Sequence, residues 1–109
     1  MHYLFVYGTL APGRANEHIL ADIVGEWTEA SVRGTLYEEG WGAAQGYPGM
    51  VLDNSESIVE GFVFASIDLP DHWARLDAFE GSEYKRVTTD VKLISNDSVT
   101  AHVYVLNRD

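Results

Sequence analysis

Apolar residues fall in short bursts along this chain, separated by polar or glycine-bearing breaks at strand-like spacing. Tyr3–Tyr7 is an unbroken apolar and aromatic run, which predicts a buried first strand ending at Gly8. Pro12-Gly13 is a turn signal, and Asn16 is placed to cap a short helix through about Ile23. Val24 to Tyr37 is extended, with Val32, Gly34 and Leu36 alternating against Arg33, Thr35 and Tyr37. Glu38 to Asp53, rich in glycine, is expected to be a long loop of the kind that borders a site. Ile58 to Ile67 follows as a strand interrupted at Gly61. A helix then opens at Asp68 or Leu69, with Pro70 in its first turn, and is closed by Gly81. Val87, Thr89, Val91 and Leu93 share one face of the next strand, and Val99, Ala101, Val103 and Val105 share one face of the last. Asn96-Asp97 turns between them.

The order of strand, short helix, strands, helix, strands is not the regular alternation of a doubly wound fold. It predicts an α+β protein, a curved or closed antiparallel-to-mixed sheet with two short helices. A chain of 109 residues, 46% hydrophobic, is expected to form a single domain over residues 1–109. The first residues read as a strand and not as a signal peptide, and no apolar run is long enough for a transmembrane helix.

Charge and composition narrow the chemistry. The formal net charge of -10 repels phosphate backbones and anionic lipid, so neither nucleic acid nor membrane is an expected partner. There is no cysteine, which removes disulfides, thiolate nucleophiles and Cys-zinc sites and makes the cytoplasm the default address. His2, His18, His72 and His102 are scattered without metal-ligand spacing, and His18 with Asp22 reads as a surface pair. Gly40–Gly46 has one residue too many for a dinucleotide fingerprint, and no G-x-S-x-G elbow is present.

One carboxylate is out of place. At roughly 100° per residue, Leu69, Trp73 and Leu76 define the apolar stripe of the helix, and Glu80 falls near its middle. An acid on the inward face is costly, and a helix C-terminus disfavours it further. Both effects push its pKa upward, toward the range for proton exchange near neutral pH. The alternative is a helix that frays early, with Glu80 turned to solvent or paired with Arg86 or Lys85. Asp77 beside Glu80 leaves a glycosidase-like carboxylate pair open as well. Tyr7-Gly8-Thr9-Leu10, at the end of the first strand, is either an ordinary strand-ending turn or an anion-binding nest of peptide N–H groups.

Taken together, Tyr7-Gly8-Thr9-Leu10, Tyr47-Pro48-Gly49-Met50, Glu60-Gly61-Phe62-Val63-Phe64, Leu76-Asp77-Ala78-Phe79-Glu80-Gly81 and Tyr84-Lys85-Arg86 resemble the motifs of the γ-glutamylcyclotransferase-like family, in order and over essentially the whole chain. Thr9 stands where the family more often has Ser. The resemblance implies a small mixed, largely antiparallel β-barrel flanked by short helices, with a cavity where the Tyr7–Leu10 turn meets Glu80. It implies conversion of a γ-glutamyl amine or γ-glutamyl amino acid to 5-oxoproline without cofactor or metal. Glu80 would be the acid/base. Backbone N–H groups of Gly8, Thr9 and Leu10 would grip the substrate α-carboxylate, with Tyr7 and Tyr84 lining the site. Arg86 would hold a carboxylate or pair with Glu83, and the Gly40–Met50 loop would cover the leaving group. The family also contains members without demonstrated activity, so a non-catalytic binding or structural role is the alternative.

Overall fold

A computed structural model describes residues 1–8, 11–14, 17–37, 49–53 and 57–107. Strand β1 (His2–Val6) lies antiparallel to β5 (Ile58–Ser66), and β5 lies antiparallel to β2 (Glu26–Arg33). β2 meets β6 (Tyr84–Leu93) at Ala30↔Leu93 and Ser31↔Lys92. β6 forms a long hairpin with β7 (Ser98–Leu106), and β7 closes on β1 in parallel at Leu4↔His102 and Phe5↔Val103. The result is a closed, mixed, largely antiparallel barrel in the order β1-β5-β2-β6-β7. The short strands β3 (Thr35–Tyr37) and β4 (Gly49–Val51) form a separate two-stranded ribbon. The helices are α1 (His18–Ala21) and α2 (Trp73–Glu80), the latter led in by a 3-10 turn over Leu69–His72. No helix among the described residues is long and apolar enough to cross a membrane.

The period-2 pattern of the sequence explains how the barrel fills. Phe5, Ala30, Val32, Val63, Val91, Ala101, Val103 and Val105 come from one side of their strands and form one buried cluster with Met50. Leu4, Val6, Phe64 and Tyr104 point the other way, where Leu20, Ile23, Leu69 and Leu76 cover them. Strand β1 is therefore buried on both faces, which is why Tyr3–Tyr7 shows no alternation. The β6–β7 register pairs Val87 with Val103, Thr89 with Ala101 and Val91 with Val99, as the alternation predicts. Its turn holds Asn96 at φ 75, a left-handed position that Asn tolerates.

Five local expectations change. Helix α1 starts at His18 and ends at Ala21, short of Ile23, and Asn16 lies outside the described residues. Asp22 pairs with Arg75 at 3.4 Å and not with His18, because α2 packs alongside. The stretch expected as a loop over Glu38 to Asp53 contains β4, since Met50 is buried in the barrel cluster and pairs with Leu36; residues 38–48 lie outside the described part. Leu36 itself is 45% exposed, because the alternation ends where the chain leaves the barrel at Gly34. Gly61 does not interrupt β5, which runs unbroken from Ile58 to Ser66. A Cβ at Gly61 would lie 2.2 Å from the Val6 carbonyl oxygen, so glycine there permits close approach of two strands.

Candidate active site

Helix α2 places its residues by simple geometry. Leu69 and Leu76 are fully buried, and Glu80, one turn beyond Leu76, follows them inward to a half-buried position. The helix stops there because Gly81 takes φ 81 while its N–H still donates to the Asp77 carbonyl at 3.0 Å. Phe79 and Ala78 face outward. The frayed-end alternative is thus replaced by a helix that carries Glu80 to its last residue.

Burial pushes the Glu80 carboxyl up to about 7 from an ordinary 4.5. No cation or hydrogen-bond donor among the described residues offsets that burial. Instead the carboxyl lies within electrostatic reach of the phenols of Tyr7, Tyr84 and Tyr104. Burial raises all three phenols, and the Glu80 charge raises them further, so they are neutral donors at any ordinary pH.

Tyr7 is engaged on both sides. Its hydroxyl donates to the Tyr104 carbonyl at 2.6 Å and accepts from the Met50 N–H at 3.1 Å. It therefore ties the end of β1 to β7 and β4. Gly8 follows it in a turn whose carbonyl accepts the Ala11 N–H at 3.1 Å. Thr9 and Leu10, the other expected anion-binding positions, lie outside the described residues. Tyr84 opens β6 and is half-buried, within reach of Glu80.

Asp77 does not behave as the second acid of a glycosidase pair. Its Oδ1 accepts from Arg86 Nε at 2.9 Å and from the Tyr104 hydroxyl at 2.6 Å, and its Oδ2 accepts from the other end of the guanidinium at 3.4 Å. Partial burial would raise its carboxyl, but the Arg86 and Tyr104 donors win and hold it below the usual range. Arg86 is fixed in turn: its guanidinium lies 4.3 Å over the Trp73 ring and contacts His102 Nδ1 at 3.1 Å. The partner of Arg86 is Asp77, not Glu83 or Glu80. Burial, followed by the adjacent Arg86 charge, keeps the His102 imidazole below its ordinary pKa.

Tyr104 is the residue that sequence reasoning missed. In β7 it reads as one more bulky strand residue. The usable signal was its membership of the alternate face with Ser98, Thr100 and His102, where a hydroxyl needs a partner. That face is shared with Arg86, its direct cross-strand neighbour, only once the β6–β7 register is known.

A family model described as gamma-glutamyl cyclotransferase, AIG2-like, matches residues 4–109. The chain is 29% identical over 112 residues to the gamma-L-glutamyl-butirosin B gamma-glutamyl cyclotransferase of Niallia circulans, spanning all of this chain and 69% of that protein. Among solved structures it is similar to YkqA from Bacillus subtilis, with TM-score 0.74 and 30% identity over 97% of this chain and 36% of that one. An AIG2-like protein from Mus musculus superposes with TM-score 0.78 over 100% of this chain and 79% of that one, at 24% identity, a likeness of fold.

Proposed function

The chain belongs to the gamma-glutamyl cyclotransferase, AIG2-like family, and from that premise we propose that it converts a γ-glutamyl amine or γ-glutamyl amino acid to 5-oxoproline and the free amine, with Glu80 carrying the protons. The substrate's own α-amine attacks its γ-carbonyl carbon. A C–N bond forms to close the five-membered ring, and the C–N bond to the γ-side nitrogen breaks. Across the reaction the α-nitrogen loses two protons and the leaving nitrogen gains two. A single carboxyl group can pass them in turn if its pKa lies near the working pH.

The observation that carries this reading is the half-buried Glu80, titrating at about 7 with no cation among the described residues to fix it as a permanent anion. Since nucleophile and electrophile share one molecule, the protein's remaining work is to hold the bent conformer. Main-chain amides of Gly8, Thr9 and Leu10 are the proposed grip on the α-carboxylate, and Tyr7 and Tyr84 the walls. The Niallia circulans relative, named for a γ-L-glutamyl-butirosin B substrate, supports a γ-side group beyond the standard amino acids.

The test is a panel of γ-glutamyl amines and amino acids scored for 5-oxoproline, with the parent and Glu80→Gln side by side. Glu80→Gln should bind substrate by calorimetry while kcat falls about 10²–10⁴-fold, the usual range for an acid/base group. Parental turnover by that variant would remove Glu80 from the mechanism. Binding without product in the parent would make the protein a non-catalytic member of its family.

A further inference from the structure

Glu80 makes no hydrogen bond to a described residue, yet it sits in a defined half-buried place. Its placement therefore depends, among the described residues, on how the last turn of α2 is held. The last turn of α2 contains both Asp77 and Glu80, and the Asp77 carbonyl receives the N–H of Gly81 that ends the helix. The rotation and height of that turn are therefore set by whatever holds Asp77.

What holds Asp77 is a pair of donors from adjacent strands of the barrel wall. Arg86 on β6 and Tyr104 on β7 are direct register partners, so both side chains leave the same face side by side. They converge on one carboxylate, the guanidinium as a fork and the phenol at 2.6 Å. Each is immobilised from behind. Arg86 lies on Trp73, from the first turn of the same helix, and touches His102. The backbone of Tyr104 receives the Tyr7 hydroxyl, which also holds Met50. Helix α2 is thus clamped to two strands at its Trp73 and Asp77 turns, and Glu80 lies three residues beyond Asp77, at the inward-facing end of the helix.

We propose that Asp77 and Tyr104, with Arg86, are positioning residues that set the placement of Glu80 by locking the last turn of α2 against the β6–β7 hairpin. The inference rests on the reading of Glu80 given above and adds a cause for its environment. The groups within electrostatic reach of the Glu80 carboxyl are Tyr7, just beyond β1, Tyr84 from β6 and Tyr104 from β7; Glu83 acts on Tyr84, and Asp77 lies three residues earlier on the same helix. Tyr104→Phe leaves every one of these charges in place and removes only the hydroxyl that Asp77 accepts. Asp77→Glu also conserves charge but moves the carboxylate out of the fork.

The experiment follows the side-chain carboxyl carbon of Glu80 by ¹³C NMR titration in the full-length chain, for the parent, Tyr104→Phe, Asp77→Glu and Arg75→Ala. Arg75→Ala removes a surface ion pair from the same helix and controls for general loosening. The expected result is a fall of about one unit in the Glu80 titration midpoint for the first two variants, as its turn relaxes toward water, and none for Arg75→Ala. With an identified substrate, kcat should drop about ten- to hundredfold in those two with KM little changed. A purely structural brace would lower Tm and leave the Glu80 midpoint and kcat at parental values, and that outcome overturns the proposal. The titration needs no substrate, so it decides the positioning role even if Glu80→Gln proves active and the catalytic reading falls.

Discussion

Replacing Glu80 with Gln should make the protein more stable, and only above a definite pH. In the folded chain the carboxyl titrates at about 7 instead of 4.5 because burial penalises its charged form. Below the lower value both folded and unfolded states carry the proton, and the group contributes no pH-dependent difference. As pH rises, the unfolded chain ionises first, so the folded state loses ground steadily until its own carboxyl ionises. At about 1.4 kcal/mol per unit, the penalty reaches about 3 kcal/mol above pH ~7, a large share of the 5–15 kcal/mol that typically holds a domain together. That figure is an upper bound, since a half-buried side chain can relax toward water. Gln mimics the protonated acid in size and hydrogen bonding without ionising. Urea denaturation of parent and variant between pH 4 and pH 8.5 should give superimposable stabilities at the acid end. The variant should then gain progressively, reaching about 2–3 kcal/mol at the alkaline end. All other carboxylates are common to both chains and cancel. Parallel curves with no pH-dependent gap would refute the claim that Glu80 pays a desolvation cost.

The same titration predicts that kcat/KM for 5-oxoproline formation rises about tenfold per pH unit below about 7 and levels above it, because the ionised carboxylate is the form that accepts the α-ammonium proton; initial rates against pH check this. Gly61→Ala should destabilise by about 2–4 kcal/mol or abolish folding, since its Cβ would meet the Val6 carbonyl oxygen at 2.2 Å and backbone cannot step aside cheaply; thermal melting reads it. Tyr7→Phe should cost about 1–3 kcal/mol in denaturant unfolding, because it strips the Tyr104 carbonyl and the Met50 N–H of the same hydroxyl partner at once.

Much of this architecture could be read from local pattern. The β6–β7 hairpin follows from alternation plus a turn residue that tolerates a left-handed backbone, both local properties. The inward direction of Glu80 follows from the angle it makes with Leu76 on one short helix. What stayed hidden depends on distant pairing. The parallel contact of β1 with β7, which closes the barrel, joins strands from opposite ends of the chain, so neither strand's own pattern specifies it. A strand interruption and a close backbone approach leave the same signature, a missing side chain, so Gly61 reads as a break in the sequence. Tyr104 carries no local signal of its role, because its partner Asp77 lies 27 residues earlier on another element.

Helix α2 shows why the site needs that distant pairing. Eight residues are too few to hold a helix alone in water, and its last turn carries an acid against the macrodipole with no basic residue beside it. Burial of Leu69 and Leu76 fixes one face, and the Asp77 carboxylate, bound by Arg86 and Tyr104, fixes the next. The two acids of this turn thus divide the labour through their surroundings. Asp77 is given two donors and held as an anion, while Glu80 is given burial and left able to take up or release a proton near neutrality. Moving a cation within reach of Glu80 would lower its pKa and stabilise the fold at neutral pH. It would also fix the carboxylate in its charged form, so that the gain in stability and the loss of proton exchange would be one and the same change.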